Sequence, residues 1–144
     1  NDVRPAEIIR LFRENRGKEI SGVKETDFDR LEKLISYSKA NGKGRLLGVR
    51  DGRNRLIYGI FLLENSFYIT MALVVNSKAS REQRLGYYMV DYLIRENAES
   101  KRKLDFAGSV IPSVASFMES FSPVRKPLYR IYRNTLPWPL RLFK

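Results

Sequence analysis

The chain opens with apolar residues at helical spacing and continues with apolar residues at strand spacing. Ile8, Leu11 and Phe12 share one helical face, and a second amphipathic stretch ends at Asn41-Gly42, so two helices are predicted first. Three strands are predicted next, over residues 45–50, 56–63 and 67–75. The first half of the sequence therefore predicts two helices followed by a strand meander.

The third predicted strand is apolar on both faces. Strict alternation divides it into two sets, one of Phe67, Ile69, Met71, Leu73 and Val75 and the other of Tyr68, Ala72 and Val74. Apolar side chains on both faces are typical of a central strand that is covered on both sides.

The second half of the chain alternates helix and strand. The predicted elements are a helix over residues 81–98, a strand over 103–107, a helix over 111–121 and a strand over 128–132. A meander followed by a strand–helix–strand crossover predicts an α/β (or α+β) fold. We expect a mixed sheet with helices on both faces, in a single domain over residues 1–144.

The composition excludes several kinds of catalytic site. The 144 residues include no cysteine and no histidine, which excludes thiolate nucleophiles, disulfides and histidine-based triads and argues against a metal site. The net charge of +11 favours an anionic partner: a phosphate-bearing cofactor, nucleic acid or a membrane surface. No apolar run approaches the roughly 18 residues of a membrane helix, so we expect a soluble protein.

The start of the third predicted helix carries a basic cluster. Ser80 and Gln83 have the spacing of a capping box, and Lys78, Arg81 and Arg84 surround them. Cations at a helix N-terminus oppose the helix dipole, so the cluster favours an anion bound at the exposed amides. The alternative is that the basic residues at the helix start are simply solvated and that Gln83 serves only to cap the helix.

A carboxylate lies within the apolar strand predicted over residues 103–107. An ionised Asp105 there needs a hydrogen-bond donor, and Gly108-Ser109 follow at the carboxyl end of the strand, where open α/β sheets bind ligands. Asp105 is therefore a candidate for chemistry. The alternative is a structural carboxylate, with Ser109 capping the helix that begins near Pro112.

Aromatic and basic residues alternate near the end of the chain, in Tyr129-Arg130-Ile131-Tyr132. Such a stretch can bind nucleic acid, and a tyrosine can act as a general acid. The alternative is an amphipathic strand.

The run Leu104-Asp105-Phe106-Ala107-Gly108-Ser109, followed by Phe121 and Tyr129, resembles the C-terminal half of FemAB-like proteins in the GNAT superfamily of N-acyltransferases. There the run has the form Asp-Phe-Glu-Gly-Ser, then a small helix, Phe-Gly-Ala and a tyrosine-bearing strand. The resemblance implies the acyl-CoA N-acyltransferase fold. It also implies acyl transfer to an amine from acetyl-CoA or another acyl-CoA, or from an aminoacyl donor.

The resemblance also implies a set of site residues. GNAT proteins usually bind the cofactor pyrophosphate on a loop of the form Gln/Arg-x-x-Gly-x-Gly/Ala. The corresponding run here is Gln83 to Tyr88, or Arg81 to Gly86 under another alignment. The implied cofactor contacts are Leu73 and Val75, through backbone groups, and Arg81, Gln83, Arg84 and Gly86. The implied catalytic residues are Asp105 and Tyr129, and the implied substrate contact is Ser109.

Two departures from the family pattern support an alternative. Ala107 stands where the family run has glutamate, and Tyr88 replaces the small residue of the pyrophosphate loop. The alternative is a non-catalytic interaction half or an RNA-binding module. The partners expected on these grounds are an amine substrate, tRNA, and either a second copy or an N-terminal sister domain of a longer protein, in the cytoplasm.

Overall fold

The structure, a computed structural model, describes residues 3–17 and 22–127. Its helices are α1 (Pro5–Phe12), α2 (Glu25–Ala40), α3 (Lys78–Glu82), α4 (Leu85–Glu96) and α5 (Pro112–Glu119), and a π-helical turn, Arg13–Gly17, follows α1. Its strands are β1 (Gly44–Arg50), β2 (Leu56–Glu64), β3 (Tyr68–Asn76) and β4 (Lys103–Asp105). The strand predicted over residues 128–132, with Tyr129, lies outside the described residues.

The four strands form one sheet in the order β1-β2-β3-β4. The β1–β2 and β2–β3 pairs are antiparallel, and β4 joins β3 in parallel. This confirms the predicted mixed sheet. It is mostly antiparallel, because the meander forms antiparallel neighbours and the helical crossover returns a parallel strand.

Helices α1 and α2 cover one face of the sheet. Ile8 of α1 and Phe28 of α2 pack in one cluster with Phe61 of β2. A Cβ atom at Gly59 of β2 would collide with the Ile8 side chain, so glycine allows α1 to approach the sheet closely.

Helix α4 belongs to the opposite face. Ile60 and Leu62 alternate with Phe61 along β2 and are fully buried, so they point away from α1 and α2. The buried side of α4 consists of Met89, Val90 and Leu93. Helices on both faces are therefore confirmed.

A β-bulge at Ala72 overturns the predicted alternation of β3. Phe61 pairs with Leu73 while Leu62 pairs with Met71, so Ala72 is an extra residue in the ladder. Cross-strand partners share a face, which places Met71 on the α4 face and Leu73 on the α1–α2 face.

The prediction that residues 67–75 present one continuous apolar face was therefore wrong. Phe67 precedes the strand and is 72% exposed, which also removes it from the predicted core set.

The chain divides after Ser109 into two compact units. The first contains the sheet and helices α1 to α4, and the second contains α5. None of the helices in residues 3–17 and 22–127 is long and apolar enough to span a membrane.

Candidate functional site

The helix predicted over residues 81–98 is broken into α3 and α4. Arg84, between them, has left-handed backbone angles (φ 54°, ψ 33°), which an α-helix cannot contain. The predicted capping box was also wrong. Ser77 caps α3 by accepting the Ser80 N–H at 3.2 Å, Ser80 is buried within the helix, and Gln83 ends it.

The break exposes backbone donors at the start of α4. The first hydrogen bonds of this helix come from the N–H groups of Tyr87 and Tyr88 to the carbonyl of Arg84, at 3.0 and 3.5 Å. No atom of the described chain accepts a hydrogen bond from the N–H groups of Leu85 and Gly86. A helix N-terminus with unpaired amides is a binding site for an anion.

Cations accompany these amides. Arg84 is exposed and makes no side-chain hydrogen bond to the helix start. Arg81 donates to the side chain of Asn76 at 2.9 Å, which ties α3 to the end of β3. Lys78 is 3.9 Å from Glu82 in an exposed pair. Three cations thus lie in the short segment before α4.

The C-terminal end of α4 is fixed by an ion-pair network. Arg45 of β1 donates to Glu64 at 2.7 Å and to both carboxylate oxygens of Glu96 at 2.8 Å. Arg102 donates to the other oxygen of Glu64 at 3.0 Å. The hydrogen bonds from Arg45 lower the pKa of Glu96. The network thus anchors the C-terminal end of α4 to β1 and β2.

The second half of β3 has an open edge. Ser77 donates its N–H to the carbonyl of Ile57 at 2.9 Å. Hydrogen-bonded and non-bonded pairs alternate along an antiparallel ladder, so Leu73 and Val75 also direct their backbone groups toward β2. Val74 between them directs its N–H and C=O away from β2.

No described strand receives the groups of Val74. β4 pairs with β3 only from Tyr68 to Thr70, and the bulge at Ala72 follows directly. A bulge bends its strand and ends regular pairing. The sheet therefore opens between β3 and β4. Leu73 and Val75, whose backbone groups were expected to contact the cofactor, direct those groups toward β2. Val74 between them directs its backbone groups toward the opening.

Asp105 lies where the two strands part. It is the last residue of β4 and pairs with Thr70, whose hydroxyl is 3.5 Å from Asp105 Oδ2. Its Oδ1 accepts the N–H of Ala107 at 2.9 Å, as in an Asx turn. Asp105 is exposed, so the expectation of a buried carboxylate was wrong. The strand predicted over residues 103–107 ends at Asp105 because the chain turns there.

Ser109 follows that turn. Ala107 and Gly108 both have positive φ, 60° and 70°. Helix α5 begins at Pro112, and its N-cap position is occupied by Ile111, not by Ser109. Pro112 occupies a first-turn position as predicted.

A cleft of about 610 Å³ borders the same loop on its α1 side. Its walls include Glu14 of the π-helical turn that follows α1, together with Ser77, Lys78 and Gln83. Glu7, also in the wall, accepts hydrogen bonds from Arg50 at 2.8 and 3.0 Å, which lower its pKa to about 2. Glu7 is thus ionised and bound to Arg50 at neutral pH. A ligand anchored at the loop has this cleft beside it.

These residues fit the cofactor that the resemblance implies. The unpaired amides of Leu85 and Gly86, beside Arg84, suit a diphosphate, and the open edge at Val74 suits a chain that carries amide groups. Tyr88 is 62% exposed, so its ring points largely into solvent. Among residues 3–17 and 22–127, no acidic cluster could hold a metal ion.

Sequence reasoning missed Ala72, Val74 and Leu85. All the residues from Met71 to Val75 are apolar, so alternation could not show a shift in strand parity. That unbroken apolar run is the sequence signal that could have indicated a shift in strand parity. The left-handed Arg84 has no sequence signal, because arginine is not favoured at positive φ.

Several solved structures share this architecture. A ribosomal-protein-alanine N-acetyltransferase from Brucella melitensis matches with a TM-score of 0.63 over 92% of this chain and 95% of its own, at 13% identity. A possible acetyltransferase from Clostridium difficile matches with a TM-score of 0.62 over 95% and 96%, at 14% identity. An acetyltransferase of the GNAT family from Staphylococcus aureus matches with a TM-score of 0.61 over 92% and 83%, at 18% identity.

Comparison by sequence adds no relative. No protein-family model matches the chain, and no curated protein does. The closer likeness to FemAB-like proteins stays a prediction. The chain has the fold of the GNAT-family acetyltransferases.

Proposed function

We propose that the chain is an N-acyltransferase domain that transfers an acyl group from acyl-CoA to an amine. One observation carries the proposal: the open edge of β3 is followed, after the short helix α3, by amides at the start of α4 that have no acceptor among the described residues. The acetyltransferases that share the fold support it.

The loop and the strand edge would hold the cofactor. The amides of Leu85 and Gly86, with Arg81 and Arg84, bind the diphosphate, and the backbone of Val74 pairs with an amide of the pantetheine arm. Gln83, at the end of α3, lies within the same loop. When bound, acyl-CoA supplies the thioester carbonyl that the amine attacks.

Asp105 would orient the amine and accept its proton. Its Oδ2 carries only the long contact to Thr70, so this oxygen is available at the opening between the strands. Backbone N–H groups at the strand edge stabilise developing negative charge on the carbonyl oxygen. Ser109 is proposed as a substrate contact, and Tyr129, outside the described residues, as an acid.

The first test compares CoA binding by wild type, Arg84→Asn and Arg53→Asn in thermal-shift titrations. Asparagine tolerates the left-handed angles of position 84, and both variants remove one positive charge. We expect a Kd for CoA raised roughly tenfold for Arg84→Asn, as for the loss of one charge-assisted hydrogen bond, and unchanged for Arg53→Asn. Wild type that is not stabilised by millimolar CoA would contradict the proposal.

The second test measures acetyl transfer by Asp105→Asn. Asparagine retains an oxygen for the Ala107 N–H, so the turn is preserved. We expect kcat to fall by roughly 10²–10⁴ while the Kd for CoA stays unchanged. Equal kcat values for the two proteins would leave Asp105 with only its structural role in the turn.

An RNA-binding module is the second candidate. Tyr88 and Tyr92 are 62% and 41% exposed, and with Arg84 they recur every four residues along one side of α4. Bases stack on such aromatic residues beside cations.

Tyr88→Ala separates the two functions. RNA binding predicts that its affinity for tRNA falls roughly tenfold or more and that wild-type affinity falls steeply with salt. The acyl-CoA proposal predicts no loss of CoA affinity, because alanine is the type of residue that GNAT loops carry there. An aminoacyl donor would be indicated if aminoacyl-tRNA, and not CoA, supports transfer.

A further inference from the structure

Asn76, the last residue of β3, lies on the same strand edge as Val74. Ser77 directs its N–H to Ile57 of β2, and inward and outward residues alternate along an antiparallel ladder. Asn76 therefore directs its backbone N–H and C=O away from β2, as Val74 does, toward the opening beside β4. Along a strand, two residues span about 7 Å.

The side chain of Asn76 lies where this edge meets the α4 face of the sheet. Asn76 pairs with Tyr58 of β2, and cross-strand partners share a face. Tyr58 alternates with Gly59, at which a Cβ atom would meet Ile8 of α1, so Tyr58 and Asn76 face α4. Asn76 thus presents one oxygen acceptor along the edge and a second one beside it.

Arg81 of α3 is bound to both of these acceptors. Its Nη1 donates to Oδ1 of Asn76 at 2.9 Å and to the backbone carbonyl of Asn76 at 3.3 Å. These contacts place the exposed guanidinium of Arg81 at the open edge of β3. It is the next group along the edge after the backbone of Val74.

The guanidinium keeps one side available for a ligand. Arginine has five N–H donors in a planar fork, and both contacts with Asn76 use Nη1. The Nε and Nη2 atoms of Arg81 have no acceptor among the described residues. A fork of two such nitrogens is the group with which arginine binds phosphate oxygens in a bidentate manner.

An arginine that is already ordered binds an anion more tightly than a mobile one. Ordering a long side chain on binding reduces affinity roughly two- to tenfold. Because Asn76 orders Arg81 before any ligand arrives, this loss is avoided at the open edge.

We propose that Asn76 is a positioning residue, which holds Arg81 so that its Nε and Nη2 bind the diphosphate of the cofactor. This inference rests on the proposed acyl-CoA function, and it adds a residue that the resemblance does not imply. A CoA molecule whose pantetheine amide pairs with Val74 extends its diphosphate along the same edge, toward Arg81.

The test measures the Kd for CoA by isothermal titration calorimetry. The proteins compared are wild type, Asn76→Ala, Arg81→Ala and the double variant. We expect Kd to rise roughly two- to tenfold for Asn76→Ala and roughly tenfold or more for Arg81→Ala. In the Arg81→Ala background, Asn76→Ala should cause no further rise, because Asn76 acts through Arg81.

Asn97→Ala is the matched control. Asn97 also accepts a hydrogen bond at 2.9 Å from an arginine five residues later, Arg102, at the other end of α4. We expect its Kd for CoA to equal that of wild type. Asn76→Leu, which keeps a side chain of similar size without the acceptor, should give the same rise as Asn76→Ala. Thermal unfolding without CoA checks that each variant is folded.

The outcomes separate this inference from the function on which it rests. Wild type that binds no CoA at millimolar concentration overturns both. Wild type that binds CoA overturns the positioning role alone if Asn76→Ala leaves Kd unchanged. So does an effect of Asn76→Ala that is as large without Arg81 as with it.

Discussion

Among single residues, Glu7 couples folding to pH on the acid side. Its side chain is only 7% exposed, and both carboxylate oxygens accept hydrogen bonds from Arg50. These bonds lower its pKa from 4.5 to about 2. Because the folded-state pKa is the lower one, the stabilisation is fully present above pH 4.5 and is lost as the pH falls through about 2.

We expect Glu7→Gln to lower the melting temperature at pH 7 by several degrees. The difference from wild type should shrink as the pH falls from about 4.5 toward 2, because wild-type Glu7 is then protonated as well. Thermal unfolding monitored by circular dichroism across this range measures the effect. Glu82→Gln, which breaks an exposed pair of 3.9 Å, is the control and should change little. A gap at pH 2 as wide as at pH 7 would contradict the assignment.

Asp105 and Arg84 also show which features of the candidate site the sequence predicts and which it does not. The type and position of Asp105 made it a candidate, but its exposure and its turn with Ala107 depend on where β4 ends. Arg84 was predicted as a cation beside a phosphate. Its left-handed backbone, which separates α3 from α4, was not predicted, because arginine is not favoured at positive φ.

At the scale of elements, Gly48 allows β1 to pack closely against β2 and Val3. A Cβ atom at Gly48 of β1 would lie 2.9 Å from the carbonyl oxygen of Tyr58 and 3.0 Å from the side chain of Val3. The backbone atom cannot move without disturbing the β1–β2 ladder. Position 48 therefore admits only glycine without strain.

We expect Gly48→Ala to lower the free energy of unfolding by about 1–3 kcal/mol, the usual cost of overpacking. Gly52→Ala in the following turn is the control, because a Cβ there would meet nothing within 4 Å. Urea denaturation of both variants measures the difference. Equal stability of the two variants would show that β1 and β2 can separate at no cost.

The bulge in β3 is the element-scale feature on which the proposed function depends. Ala72 interrupts the ladder two residues after the last pair with β4. The strand was predicted, and so was the nearby phosphate loop. The bulge was not predicted, because the residues around Ala72 are apolar on both faces of the strand. Either alternation of side chains would therefore bury apolar residues.

At the scale of the whole molecule, the chain divides into two compact units after Ser109. The junction contains the consecutive positive φ angles of Ala107 and Gly108, and Val110 is fully exposed. Exposed backbone between compact units is the usual site of first proteolytic cleavage.

We expect elastase, which cleaves after small apolar residues, to cut first near Val110. Mass spectrometry of a short digestion identifies the site, and Val110→Glu should slow this cut while leaving later cuts unchanged. A first cut in the turn between β1 and β2 would instead make that hairpin the most accessible part of the molecule.

The sequence by itself determined the helices, the meander, the crossover and hence the fold class, because hydrophobic periodicity fixes which face of each element is buried. It also determined the residue types at the site: the carboxylate Asp105, the cations Arg81 and Arg84, and Gly86. These depend on local spacing alone.

Only the tertiary structure decided how those residues can act. The opening between β3 and β4 and the amides of Leu85 and Gly86, which have no acceptor among the described residues, are both properties of backbone pairing. Pairing depends on which segments meet in space, and the side-chain pattern of one segment carries no record of where its neighbour ends.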